Sequence, residues 1–187
     1  VSDGVTSTSS ALTIAVTNVN DVAPVIGSAE TFFAAENQTS IGTVTATDAE
    51  GDSLTYSLSG TDAGSLSISS NGVLSFNAAP DYETKAAYSV TVTVSDGVTS
   101  TSSALTITVT DVNDVAPVIN SGASFSAVEN QTSIGTVTAD DIDSTSITFT
   151  VSGSELVITP RGVLSFASAP DYEAKSSYNA TVTATDG

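Results

Sequence analysis

The sequence predicts an all-β protein built as tandem antiparallel Greek-key β-sandwiches, about seven strands to a module. Three observations predict it. The chain repeats itself: SDGVTSTSSALTI at residues 2–14 returns unchanged at residues 95–107, and ENQTSIGTVTA at 36–46 returns at 129–139. Apolar residues alternate with Ser and Thr at a period of two, which marks strands with one buried and one wet face. Between these runs stand Glu50-Gly51, Asn71-Gly72, Asp96-Gly97 and Arg161-Gly162, all turn chemistry. No stretch carries the 3.6-residue period of a helix.

Taken in order, residues 1–22 read as the last strand and hinge of a preceding repeat, with ALTIAV at residues 11–16 as that strand. Residues 23–115 form one complete module. Its strand signals include Leu54, Tyr56 and Leu58, then Tyr88, Val90, Val92 and Val94, then Leu105, Ile107 and Val109. Residues 116–187 form a second module, with Ile147, Phe149 and Val151 matching the first of those runs. It reaches Asp186-Gly187 where its own final strand is expected to begin. The repeat offset is 93 residues up to mid-module and 90 afterwards. Residues 153–162 are therefore a shorter version of residues 60–72, a loop or hairpin indel. Tyr88 and Tyr178 are expected in the cores, and Asn71-Gly72 at a hairpin turn.

Charge narrows the function. The 187 residues hold 21 acids, 3 bases and no His, a net charge of -18. Such a surface repels nucleic acid and anionic membranes. No apolar run is long enough to span a bilayer and no segment reads as a signal peptide. Cys is absent, so no disulfide stiffens the modules. The absence of His, Cys and any nucleophile motif argues against an enzyme.

The acids are not scattered. Each alternating run leads into an acidic hinge, Asp111-Val-Asn-Asp-Val-Ala-Pro117 and its near copy beginning at Asn18, 93 residues earlier. Further acids recur in ENQ, in D-x-[DE], in PDYE and in SDG. Motif positions hold 15 of the 21 acids, which opposes a purely solubilising role. Calcium is a hard cation that takes six to eight oxygen ligands, whereas magnesium keeps its waters and demands an octahedron. In extended chain, residues i and i+2 point to one side. Asp81/Glu83 and Asp141/Asp143 are therefore each expected to present two carboxylates to one ion. As an acid pair for glycoside cleavage, Asp81 and Glu83 stand too close together on one side.

The order E … D-x-[DE] … D-Y-E … S-D-G … D-x-N-D-x-x-P resembles tandem cadherin repeats of the bacterial kind, over essentially the whole chain. The resemblance implies a cadherin/immunoglobulin-like sandwich with calcium ions between consecutive modules. For the central joint it implies Glu36, Asp81 and Glu83, the hinge residues Asp111, Asn113 and Asp114 with the carbonyls of Val112 and Val115, and Asp141, Asp143 and Asp186. An N-terminal half-site would comprise Asn20, Asp21, Asp48, Glu50 and Asp96, and a C-terminal half-site Glu129, Asp171 and Glu173. Glu50 stands where the family prefers Asp, Asn18 replaces the first hinge Asp, and Val115 follows Asp114 where the family often has Asn.

The function so implied is that of calcium-rigidified extracellular repeats of a bacterial surface adhesin, serving as stalk and as cell–cell or cell-surface adhesion element. A calcium-dependent polysaccharide-binding module is the alternative, weakened by the absence of Trp platforms. The expected partners are neighbouring repeats and like modules. Head-to-tail self-association by strand donation is a further expectation, because the strand at residues 11–16 lies at the far end of a module roughly 40 Å long, beyond a short tether. A neighbouring molecule's open sheet edge is its natural acceptor.

Overall fold

The computed structural model describes residue 1 and residues 4–187. Ser2 and Asp3, at the head of the first SDGVTSTSSALTI copy, lie outside the described residues. The chain divides into two compact units. The first comprises Val1–Ala34, Gln38–Ala79 and Ala87–Thr108; the second comprises Ala35–Asn37, Pro80–Ala86 and Val109–Gly187.

Among the described residues nine strands precede the hinge at residue 111: β1 (Val25–Ile26), β2 (Thr31–Ala35), β3 (Ser40–Thr43), β4 (Ala46–Thr47), β5 (Thr55–Ser59), β6 (Leu66–Ile68), β7 (Val73–Phe76), β8 (Ala87–Ser95) and β9 (Ser100–Thr110). They form a four-stranded sheet in the order β2-β9-β8-β5, a three-stranded sheet β3-β7-β6, and the pair β1-β4. The alternation in the sequence becomes the burial pattern. Val90, Val92 and Val94 on β8 and Leu105 and Ile107 on β9 are buried, while the Ser and Thr between them face outward. Burying each such aliphatic side chain stabilises the fold by about 1.5–3 kcal/mol. Phe76 of β7 meets Tyr88 of β8 edge to face, with ring centroids 5.0 Å apart, joining the two sheets.

The β6–β7 hairpin turns through residues 69–72, where Gly72 N–H donates to Ser69 O at 3.0 Å. Gly72 has φ +77, and a Cβ there would fall 2.2 Å from Val44 O. Only glycine fits, because the turn lies directly against the backbone that links β3 to β4. Gly162 repeats this at φ +80, 2.1 Å from Val137 O. The length difference between the repeats is local: residues 63–65 form a short 3-10 helix (Ala63–Ser65) that the shorter copy lacks.

Seven strands follow the hinge: β10 (Val118–Ile119), β11 (Ser133–Thr136), β12 (Ala139–Asp140), β13 (Thr148–Val151), β14 (Leu156–Ile158), β15 (Val163–Phe166) and β16 (Val182–Thr185). Sheet β11-β15-β14 reproduces β3-β7-β6, register shift included. Val137, Phe149 and Leu164 form the buried core, with Ile134, Leu156 and Val182 packed against it. The other sheet holds only β13 and β16, and residues 124–128, which correspond to β2, carry no ladder. The reason is direct. β2 pairs with β9, and among the described residues nothing occupies the β9 position in the second unit.

Residues 11–16 differ from the expectation. Although their sequence matches β9 closely, they form no strand, and Leu12, Ile14 and Val16 are exposed. A strand requires a partner for its backbone groups, and among the described residues no sheet edge pairs with this copy.

Candidate metal centres

Among the described residues, four trios of carboxylates each bring one oxygen per residue within 4.8 Å of one another: Glu36/Glu83/Asp111, Asp141/Asp143/Asp186, Asp48/Glu50/Asp52 and Glu129/Asp171/Glu173. The first two lie in the second unit along with the hinge.

Glu36 sits at the end of β2, only 3% exposed. The next residue, Asn37, takes the left-handed conformation at φ 61, which asparagine tolerates better than most residues. That turn lets the Asn37 N–H reach Pro80 O at 3.0 Å. The Glu36 carboxylate then accepts from two chain segments, Tyr82 N–H at 2.7 Å and Val112 N–H at 2.7 Å. It thus ties the PDYE loop to the hinge. Glu83 Oε1 lies beside it, buried and without a hydrogen-bond partner. The Glu83 backbone N–H pulls its pKa down, but burial and the charges of Glu36, Asp111 and Asp81 outweigh this and raise it.

PDYE is a turn rather than the extended strand that the spacing suggested. Lys85 N–H donates to Asp81 O at 2.9 Å, while Thr84 donates from N–H and Oγ1 to the Asp81 carboxylate at 3.0 and 2.9 Å. These bonds, the Thr84 hydroxyl first, hold the Asp81 pKa down. Asp81 therefore braces the loop that presents Glu83. Asp81, Glu83, Glu36, Asn37 and Asp114 line one cavity of about 400 Å³.

The Asp141/Asp143 spacing is likewise a bend. Asp143 and Ser144 N–H groups donate to Asp141 Oδ1 at 3.0 and 3.1 Å. Asp143 Oδ2 in turn accepts the N–H groups of Asp114 and Val115, both at 2.7 Å. The two carboxylates lie side by side, and this closeness raises the pKa of Asp141 and lowers that of Asp143. Asp141 Oδ2 is buried without a partner. One terminus of the Asn113 carboxamide lies 3.1 Å from Asp143 Oδ1 and 3.0 Å from Asp186 Oδ2. With nitrogen there it donates twice; with oxygen there, three acceptors converge as they do around a cation. Asp114 accepts from the Asn37 side chain.

In the first unit, Asp48 gathers its trio by accepting the N–H groups of Glu50 and Asp52 at 2.9 and 3.2 Å. Asp52 was not among the expected ligands. Burial, opposed by the Val22 N–H and reinforced by Asp48, Asp21 and Asp52, raises the Glu50 pKa. Asn20 Oδ1 and Asp48 Oδ2 are buried and unpartnered. Asn20 Nδ2 approaches Asp96 O at 3.5 Å. The Asp96 carboxylate is instead engaged by Thr99, whose Oγ1 donates at 2.6 Å and N–H at 2.6 Å. Asp21 is exposed and stands outside the trio. In the C-terminal trio, Tyr172 N–H donates to Glu129 Oε2 at 3.0 Å, repeating the Glu36–Tyr82 contact. Asn130 repeats Asn37 at φ 63.

A divalent, oxygen-preferring cation fits these sites. The donors are carboxylates and one carboxamide, carboxylate oxygens are buried without partners, and three basic residues face 21 acids. Like charges this close otherwise raise one another's pKa values.

The fold and its carboxylate-braced hinge define a cadherin-like domain of the immunoglobulin-type β-sandwich class. Residues 20–110 match the family model for a bacterial Ig domain. Mouse protocadherin Fat 4 is 36% identical over 68% of this chain, and mouse protocadherin-15 is 35% identical over 76%. The matches span 3% and 8% of those much longer proteins. Among solved structures, human protocadherin-24 EC1-2 shares the fold with a TM-score of 0.71 at 22% identity, covering 88% of this chain and 93% of that one. Mouse cadherin-23 EC22-24 gives 0.72 at 25% identity, covering 88% and 60%.

Proposed function

We propose that the chain is a pair of calcium-stiffened extracellular repeats from an adhesion protein of the bacterial cell surface. The observation that carries this reading is the pair of partnerless buried oxygens, Glu83 Oε1 and Asp141 Oδ2, each inside a carboxylate trio that shares backbone contacts with the hinge. Calcium would be held by Glu36, Glu83 and Asp111, and by Asp141, Asp143 and Asp186 with Asn113. Asp114 and Asp81 complete the oxygen-lined cavity beside them. The cation supplies positive charge that these loops otherwise lack.

The residues themselves explain why stiffness is the consequence. Glu36 and Asp143 each hold hinge N–H groups, so the order of the hinge depends on carboxylates that repel one another. Neutralising that repulsion fixes the loop of residues 80–86, the hinge and the turn at residues 141–143 together. The match to a bacterial Ig domain supports the bacterial setting, and the likeness to extracellular cadherin domains, such as those of protocadherin gamma B2, supports the extracellular one. The remaining trios, Asp48/Glu50/Asp52 with Asn20 and Glu129/Asp171/Glu173, are the corresponding calcium groups towards each end of the sequence.

The test is a thermal melt and a sedimentation run on one sample, in calcium and then in EDTA. Calcium is expected to raise the melting temperature and reduce the sedimentation coefficient by extending the particle, and Asp114→Ala to remove both effects. Identical results in calcium and EDTA would overturn the reading.

A further inference from the structure

We propose that Asn37 is a positioning residue for the cation site beside the hinge: its carboxamide holds the Asp114 carboxylate at the cavity ready for the ion. The inference rests on the calcium reading and adds to it a residue that is not itself a ligand.

The cavity of about 400 Å³ is short of donors. Of the side chains that line it, four are carboxylates, two are aliphatic, and Asn37 alone can donate a hydrogen bond. Glu36 and Glu83 repel a third carboxylate brought alongside them, so Asp114 is driven towards water. Asn37 opposes this, because its Nδ2 donates to Asp114 Oδ2. A bond to a charged acceptor is stronger than one between neutral groups.

Backbone fixes both ends of that bond. Asn37 N–H donates to Pro80 O at 3.0 Å. Its neighbour Glu36 is clamped by the Tyr82 and Val112 N–H groups, both at 2.7 Å. Asp114 N–H donates to Asp143 Oδ2 at 2.7 Å. Two short side chains thus link residues 77 positions apart with few torsions left to order.

The backbone alone does not call for asparagine. At φ 61 glycine would serve the turn with less strain, yet both repeats place asparagine there, Asn130 at φ 63. In both, its N–H bonds the proline of the PDYE loop, Asn130 N–H reaching Pro170 O at 2.9 Å. What asparagine adds at residue 37 is a carboxamide aimed at the hinge. It takes one oxygen of Asp114 and leaves the other for the ion. Without it every candidate ligand remains, but Asp114 must be brought to the site at the moment of binding. Hydrogen-bonded partners of metal-site carboxylates typically carry about 10-fold to 100-fold in affinity.

The experiment is nuclear magnetic resonance on the full chain, in EDTA and then through a calcium titration. In EDTA the Asn37 side-chain amide protons are expected to exchange with water faster in Asp114→Ala than in the parent. The titration is followed at the backbone amides of Val115 and Ile142, which line the same cavity, so this site is read apart from the other carboxylate trios. Asn37→Gly keeps the turn and deletes the carboxamide, and calcium is expected to bind there about 10-fold more weakly. The Tyr82 and Val112 amide signals, which report the Glu36 bonds, are expected to stay in place. Equal exchange in EDTA, or equal affinity in Asn37→Gly and the parent, would overturn the proposal and leave the calcium reading standing. A loss of affinity accompanied by movement of the Tyr82 and Val112 signals would assign the effect to the turn and overturn it too. If Val115 and Ile142 of the parent ignore calcium, the calcium reading falls and this proposal with it.

Discussion

Asp114 donates its backbone N–H to Asp143 Oδ2 at 2.7 Å, and the same oxygen takes the Val115 N–H at 2.7 Å. Asp143 therefore organises the hinge with or without a cation, whereas the Asp114 carboxylate faces the cavity. Asp143→Ala is expected to lower the melting temperature in both EDTA and calcium, by several degrees. Asp114→Ala is expected to cost little in EDTA and to lose only the calcium-dependent gain. Paired melts of the two variants check this separation.

Glu83 has a raised pKa and a partnerless oxygen, so in metal-free protein its charge opposes the fold. Glu83→Gln removes that charge at nearly constant shape. The variant should melt higher than the parent in EDTA and lower in saturating calcium. Its calcium affinity should fall by about 10-fold or more, the lower bound seen even for outer-shell partners of metal sites. Isothermal titration and melts in the two buffers read the crossover.

The Asp96 carboxylate is lowered from its ordinary value of 3.8, first by the Thr99 hydroxyl. A lowered carboxyl contributes stability in full above that ordinary value and loses it as pH falls through the lower folded value. Thr99→Val removes the hydroxyl bond of 2.6 Å. The variant is expected to be less stable than the parent at neutral pH and to converge with it in strong acid. A series of urea midpoints against pH in EDTA follows the difference.

Leu105 and Leu12 have the same sequence neighbours and opposite surroundings, buried and bare. Leu105→Ala opens a cavity in a packed sheet face and should cost about 2–5 kcal/mol. Leu12→Ala in dilute protein should fall within about 0.5 kcal/mol of the parent. Urea unfolding at low concentration measures both.

Gly72 tests the repeat's tightest backbone contact. Gly72→Ala would set a Cβ 2.2 Å from Val44 O at φ +77, so the backbone of the turn or of Val44 must shift. Gly51, at φ +80 with open space around it, shares the conformational strain but not the clash. Gly72→Ala should therefore destabilise clearly more than Gly51→Ala, as the two melting temperatures would report.

Strands were legible because alternation records burial directly: Leu105, Ile107 and Val109 face inward, and Thr106, Thr108 and Thr110 do not. The turn glycines were legible for the same kind of reason, since few other residues adopt their backbone. The site was legible in composition and less so in geometry. Spacing of i and i+2 looks alike in a strand and in a turn, and Asp81/Glu83 and Asp141/Asp143 proved to be turns. The distinguishing signal was present in Asp81-x-x-Thr84, where a short acceptor followed by a threonine closes a turn on itself; Asp96-x-x-Thr99 repeats it. Asp52 was missed because Asp48 recruits it through backbone, a contact that depends on how the loop folds over Gly51. The left-handed backbone at Asn37, which aims the loop, leaves no mark in ENQ beyond asparagine's tolerance for that conformation.

The pairing of β2 with β9 sets a schedule. β2 lies near the start of its sandwich and β9 at its end, with some 65 residues between them, so the sheet cannot be completed until the last strand has left the ribosome. Throughout that interval each nascent repeat exposes an apolar slot, and the next strand of suitable sequence to arrive decides how it closes. In an array whose repeats are spelled almost identically, the correct strand has the advantage of arriving first. Translation speed thus becomes part of the folding code, and a pause before SDGVTSTSSALTI would favour entanglement between neighbouring polypeptides.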